Sequence, residues 1–394
     1  MSQSLLVSGD TCKINQHDWT LMVTSGDSLE KFKPRTEDLS RVVINGFKGY
    51  ISLQSLKWFS VHKTDIAIID VFGKLQTSII PQVSENGSLL IRQVEVYKSK
   101  DERLRYAKNM INHKIESQRS FVENLSHYYH IDYKKYEVNL HKEMKVRSYN
   151  KIQEIMFLEG RTTQLYWSVF KEVINQIDPK ADWQGRDSRD KNNRNANNYI
   201  NTTLNYLYAL LQHSVRVSIL TNGLTQKIGI VHDTYASQEP LTFDLMEPFR
   251  YLCDQTLLDL IASRTLTQDD FCYGPDFKII IKVDSRKKIV DRFNYNLSRR
   301  VKIARQNYQV INAIDRYVLG FKQSLLQNKK WEGIENLALD RTNTVDLINR
   351  VKNMTVAQAR AKGIGKSTLF YIKKSIEQGK TRKIYKPVIN KLIE

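Results

Sequence analysis

Cysteine is scarce. Only Cys12, Cys253 and Cys272 occur in 394 residues, with no CxxC pair and no zinc-type spacing. That excludes a disulfide framework and fits a reducing compartment, so a cytoplasmic setting is expected. Long apolar runs are also missing, because charged or polar residues interrupt every long stretch. No membrane span or amphipathic anchor is therefore expected. The opening MSQSLLVSGD has neither a basic start nor a long apolar segment, and no secretory signal is expected. Acidic residues are in deficit: 42 Asp and Glu face 61 Lys and Arg, a formal charge of +19. Self-repulsion on that scale calls for an acidic partner, and nucleic acid rewards distributed Lys and Arg most directly. A merely basic soluble protein remains the plain alternative on charge alone. The chain does have apolar surface: 41% hydrophobic and 10% aromatic residues suffice for real cores and speak against wholesale disorder.

The periodicity predicts an α+β protein in three parts. Residues 1–86 read as a β-rich amino-terminal domain. Strands are expected at 4–8, 19–25, 42–46, 65–73 and 75–81, the last two as a hairpin, with a short helix over 51–63 carried by Leu53, Leu56 and Phe59. Residues 87–335 read as a larger, all-helical catalytic domain, with helices over 89–125, 149–177, 199–220, 244–263 and 298–326. Segment 277–284 suits either a small strand pair or a helix lead-in, and 182–198 is a polar, Asn-rich, basic loop. Residues 340–394 form a third unit. From 341 onward thirteen Lys and Arg face three Asp and Glu, about half of the chain's surplus positive charge.

Two segments carry chemistry. LEGRTTQLYW places Glu159 in a helix, and the stretch 223–250 contains His232, Asp244 and Glu247. Asp244 and Glu247 are i and i+3 on the expected helix and so share a face. A carboxylate–imidazole–carboxylate set suits Mn²⁺ or Mg²⁺, which can activate a hydroxyl and a phosphodiester. Spacing alone is weak evidence, since an isolated Glu, His and Glu are more often ordinary surface or satisfied polar groups. His127, His130, His141 and His213 have no convincing ligand partners, and the Tyr-rich stretch 128–136 suits either DNA stacking or a bundle edge.

These segments resemble the hallmark motifs of the universal CRISPR-associated endonuclease and integrase family, in particular its transposon-borne branch, the casposases. The Glu-Gly pattern with a Tyr-aromatic pair appears as Glu159, Gly160, Thr162, Thr163, Tyr166 and Trp167. The Gly-Leu, Gly and His pattern appears as Gly223, Leu224, Gly229 and His232. The Asp-Leu-Met-Glu and Phe-Arg pattern appears as Asp244 to Glu247, Phe249 and Arg250. The resemblance implies metal-binding and catalytic roles for Glu159, His232 and Glu247, with Asp244, Arg250, Asn201 and Tyr166 as accessory groups. It also implies a β-domain, and a linker helix containing Gln93, Ala107, Lys114 and Gln118, so that it covers about residues 4–325. Thr162 and Thr163 depart from the usual alanines, and Tyr251 from a frequent Pro. The loop 182–198 is Asn-rich rather than Arg/Pro-rich, so no contacts are carried over to it.

The carboxyl-terminal TVAQARAKGIGKSTLFYIKKSI (355–376) fits a helix-turn-helix. Ala359 would sit where the helices touch, Gly363 in the turn, and Ile364, Leu369 and Ile372 in the core. Lys366, Ser367, Thr368, Tyr371 and Lys374 would face DNA, with Arg382 and Lys383 in a basic tail and a third helix over 344–354. A small helical cap without a DNA role is the alternative. GIGKST is not a phosphate-binding loop, because Arg360 stands where that motif needs Gly and no strand precedes it. Three functions follow. The first is a casposase joining donor 3′-hydroxyls to target duplex, as a homodimer or higher assembly. The second is a spacer integrase working with a small CRISPR adaptation partner. The third is a non-catalytic DNA-binding regulator.

Overall fold

The computed structural model describes the chain except residues 1–2, 27, 35–38, 82, 84–85, 130, 132–148, 187–197, 233–238, 275–277, 304–305, 328, 336–350, 352–353, 362 and 378–394. Six strands open it: β1 (Gln3–His17), β2 (Thr20–Ser25), β3 (Ser28–Phe32), β4 (Leu39–Ile51), β5 (Asp65–Ile69) and β6 (Leu75–Ile79). They form one mixed sheet in the order β3-β2-β1-β4-β5-β6. β4 and β5 are parallel, so a crossover must join them, and α1 (Leu53–His62) supplies it. The alternation in β4 explains the layering: Val42 and Ile44 face one way with Leu5, Val7, Trp58 and Phe59, while Val43 faces the other way with Ala67 and Ile69. The second face shares its core with the helices that follow.

Those helices are α2 (Gly87–Lys98), α3 (Lys100–Tyr129), α4 (Ile152–Ile177), α5 (Tyr199–Thr221), α6 (Pro240–Met246), α7 (Tyr251–Ala262), α8 (Val283–Leu297) and α9 (Val310–Gln327). α5 and α7 are buried on nearly all sides, as helices apolar all round must be. A buried polar network docks α5 on the sheet. Arg41 Nε donates to Asp65 at 2.7 Å, Arg41 Nη1 donates to Ser214 Oγ at 2.8 Å, and His213 Nε2 lies 2.6 Å from Asp65. His213 is thus a satisfied core residue.

The α+β layout is as expected, with local differences. The expected helix 89–125 is broken at Ser99, whose carbonyl accepts from Arg103 N at 2.9 Å as α3 begins. The expected helix 298–326 begins only at Val310. Before it, β9 (Arg300–Ile303) and β10 (Gln306–Gln309) form a hairpin in which Val301 and Ile303 are buried and Lys302 is exposed, and β11 (Ile334–Glu335) joins them. The segment 277–284 does both things allowed for it: β8 (Ile279–Ile281) pairs with β7 (Phe271–Tyr273), and α8 then starts. β1 runs far past residue 8, and β3 was not expected. Most of loop 182–198, most of the Tyr-rich stretch, His130, His141, most of the third-helix segment 344–354, and Arg382 and Lys383 lie outside the described residues.

Near the carboxyl terminus, α10 (Val356–Ala361) and α11 (Lys366–Glu377) contact each other, and Val351, Met354, Ala359, Ile364, Leu369 and Ile372 in and around them are buried. Gly363 turns the chain at φ +66°, a region Gly enters without penalty.

Candidate active site

The expected helix 244–263 is interrupted where it matters most. α6 starts at Pro240, and a 3-10 turn, Glu247–Phe249, with Pro248 in its first turn separates it from α7. Proline lacks the N–H that would continue the α-helix, so the chain tightens there. Asp244 and Glu247 therefore take up different tasks.

Asp244 turns inward, fully buried. Its Oδ2 accepts from the backbone N–H groups of Ile230 and Val231 at 2.6 and 3.1 Å; its Oδ1 accepts from His232 N at 3.0 Å and lies 2.6 Å from His232 Nδ1. One carboxylate thus folds the 230–232 loop and fixes the imidazole, leaving Nε2 for a ligand. Burial pulls the His232 pKa down, but the Asp244 hydrogen bond and the charges of Asp244 and Glu247 outweigh it and raise it above its usual value.

Glu247 faces two cations. Arg250 Nη1 donates to its Oε1 at 2.9 Å, and Lys114 Nζ on α3 stands 2.7 Å from its Oε2. Burial would push Glu247 up; Arg250 and Lys114 outweigh it and hold its pKa down at about 2. Glu159 on α4 reaches the same ammonium as an ion pair and accepts from Thr163 Oγ1 at 3.0 Å. Lys114, with its side chain only 4% exposed, therefore bridges two glutamates that lie far apart in sequence. Glu247 Oε2 makes no aligned hydrogen bond despite that ion pair. Glu159 and Glu247 offer carboxylate oxygens, one of them poorly satisfied, and His232 an imidazole nitrogen, donor types that Mn²⁺ or Mg²⁺ accept. Among the described residues no three His, Cys, Asp or Glu side chains are grouped so as to hold a metal ion, and Lys114 stands between the glutamates.

Around this centre lies an aromatic and acidic frame. Tyr166 and Tyr208 both donate to Asp254, the latter at 2.9 Å. Burial raises the Asp254 carboxyl to about 6. Arg250 lies over the Tyr208 ring, 4.7 Å from its centroid. Lys114, Thr163, Tyr166, Tyr208, Glu247 and Arg250 share one pocket. Asn201 is not drawn to the carboxylates: it is buried at the head of α5, where its Oδ1 accepts from Trp183 Nε1 at 3.3 Å. Sequence reasoning did not assign site roles to Lys114, Tyr208 and Asp254. The one available signal was an Asp alone in the apolar run YLCDQTLL, which must find partners when buried. In the carboxyl-terminal pair of helices, Lys366, Ser367, Tyr371 and Lys374 are exposed and Thr368 is half-buried, and Phe370 is exposed beside them. Among the described residues no helix is long and apolar enough to cross a membrane.

An amino-terminal mixed sheet leading into a helical body, with two glutamates paired to buried cations and an imidazole held by a buried acid, makes a site able to handle phosphate esters. The model of the family described as CRISPR associated protein Cas1 matches residues 5–295, and the chain belongs to that family. It is 28% identical over 302 residues to CRISPR-associated protein Cas1 3 of Methanobrevibacter ruminantium, covering 73% of this chain and 86% of the relative. It is 26% identical over 317 residues to CRISPR-associated endonuclease Cas1 1 of Methanospirillum hungatei, covering 78% of this chain and 92% of that one. A solved structure, a casposase bound to integration product, is similar with a TM-score of 0.74 at 25% identity, covering 84% of this chain and 92% of that chain.

Proposed function

We propose that this protein is a casposase: a divalent-metal-dependent DNA integrase that joins donor 3′-hydroxyl ends to target duplex. The observation that carries the reading is the convergence of Glu159 and Glu247 on one buried cation position, with His232, whose imidazole Asp244 holds, within the field of Glu247. Glu159, His232 and Glu247 are the residues to hold Mn²⁺ or Mg²⁺, which when bound supplies Lewis-acid activation of the attacking hydroxyl and the phosphodiester. Asp244 sets the imidazole's orientation. Arg250, fixed between Glu247 and the Tyr208 ring, offers its guanidinium to the phosphate. Phosphoryl transfer needs little beyond such positioning and charge neutralisation.

Likeness to a casposase structure supports the transposon branch, as does a helix-turn-helix-like pair of helices lying beyond the family match at 5–295. In that role Lys366, Ser367, Thr368, Tyr371 and Lys374 meet duplex DNA. Exposed Trp19, Leu53 and Val61 on the β-domain support pairing of two copies there. The CRISPR-associated names of the sequence relatives favour the second reading, a spacer integrase with a small adaptation partner. Neighbouring genes separate the two. The enzymatic core of both is tested by incubating 3′-hydroxyl oligonucleotides, plasmid and Mn²⁺. Wild type is expected to give joined products, and Glu159→Gln, His232→Ala and Glu247→Gln to lower the yield about a hundredfold or more. Undiminished joining by these variants would reject the site.

A further inference from the structure

We propose that Lys114 is the resident counter-ion of this site: its ammonium holds the position between Glu159 and Glu247, so that divalent-ion loading is an exchange in which Lys114 leaves that position. This rests on the metal reading above.

Lys114 projects from α3 and is almost wholly buried, where an ammonium persists only when paired. Its pairs here are Glu159 and Glu247. Burial alone would work against its charge, and the two glutamates it pairs with offset that cost. Arg250 is bound to the other oxygen of Glu247 and so fixes that carboxylate without filling the space between the two acids. A divalent ion cannot share that space with an ammonium, since repulsion between like charges a few ångströms apart is severe away from bulk water. Lysine is suited to yield, as its charge is a point on a flexible stem. Lys114 lines a small pocket together with Ser117, Gln118, Thr163 and Trp167, whose polar groups can receive an ammonium that moves.

The opposing idea is that Lys114 keeps its place and orients the glutamates for the ion. The two ideas predict opposite signs. If Lys114 is a counter-ion, Lys114→Met and Lys114→Gln bind Mn²⁺ at least about tenfold tighter than wild type, because a competitor is gone. Their melting temperature without metal falls below that of wild type and recovers with added Mn²⁺. If Lys114 orients ligands, the same variants bind Mn²⁺ about ten- to a hundredfold more weakly. Mn²⁺ titrations of the full chain, without DNA, decide between them. Should the variants fail to fold, reductive methylation of wild type read by mass spectrometry is the second measurement. Lys114 is expected to be protected without metal and labelled with Mn²⁺. Equal or weaker affinity in the variants, or labelling that does not respond to Mn²⁺, overturns the proposal while leaving the metal site standing. A wild type and variants that all fail to bind Mn²⁺ remove the metal reading and this proposal together.

Discussion

Asp244 accepts from three backbone N–H groups and holds one ring nitrogen, so its lone pairs are committed before any ion arrives. That separates it from Glu247, three residues on, whose second oxygen has only an ion pair. The difference between a bracing acid and one with an oxygen to spare thus lies in local hydrogen bonding. His113, next to Lys114, shows another burial effect. Its Nδ1 lies 3.0 Å from Tyr317 Oη, and its pKa falls from 6.5 to about 4 because burial disfavours the charged ring more than Glu332 restores it. Below pH 6.5 the unfolded chain takes up this proton while the native chain resists it. Stability is therefore full above that pH and is lost progressively as pH falls toward about 4. The urea midpoint of wild type should fall between pH 7 and pH 5, and His113→Gln should make that fall smaller; an equal fall in both proteins would contradict the assignment.

At the level of elements, the turn before His232 is as closely fitted as a core. A Cβ on Gly229 would stand 2.5 Å from His232 O and 2.6 Å from Pro240 Cβ, at the start of α6. Overpacking of this kind costs about 1–3 kcal/mol. Gly229→Ala should lower the urea midpoint accordingly and weaken Mn²⁺ binding, because the displaced atoms belong to the loop that carries the imidazole. An unchanged midpoint and affinity would show that the loop has room to relax. The motif letters around Gly229, His232 and Asp244 were readable as a pattern; that Asp244 gathers the loop's N–H groups was not, because it depends on a contact across a turn. The break at Pro248 was legible in principle, as proline within a helical pattern marks a boundary. The hairpin over 300–309 was harder, since Val301 and Ile303 alternate as a strand face requires but form too short a run to stand out from the helical rhythm that follows.

Across the whole molecule, periodicity sufficed for a sheet followed by helices, since each apolar stripe must find a partner layer. It did not reveal that the sheet's second face joins the helical core through Val43, Ala67 and Ile69, with Arg41, Asp65 and His213 as a buried polar seam. Nor did it reveal Lys114 as the meeting point of Glu159 and Glu247, because three elements distant in sequence must fold before the ammonium finds its acids. The positive surplus, by contrast, is a property of composition, and its concentration from residue 341 onward was legible by counting alone. The central claim concerns what these scattered side chains do jointly, and it is tested most directly by electron spin-echo spectroscopy of Mn²⁺ bound to the full chain. Nitrogen coupling from one imidazole is predicted in wild type and its loss in His232→Ala; bound Mn²⁺ with the same coupling in both proteins, or with none in wild type, would contradict the account.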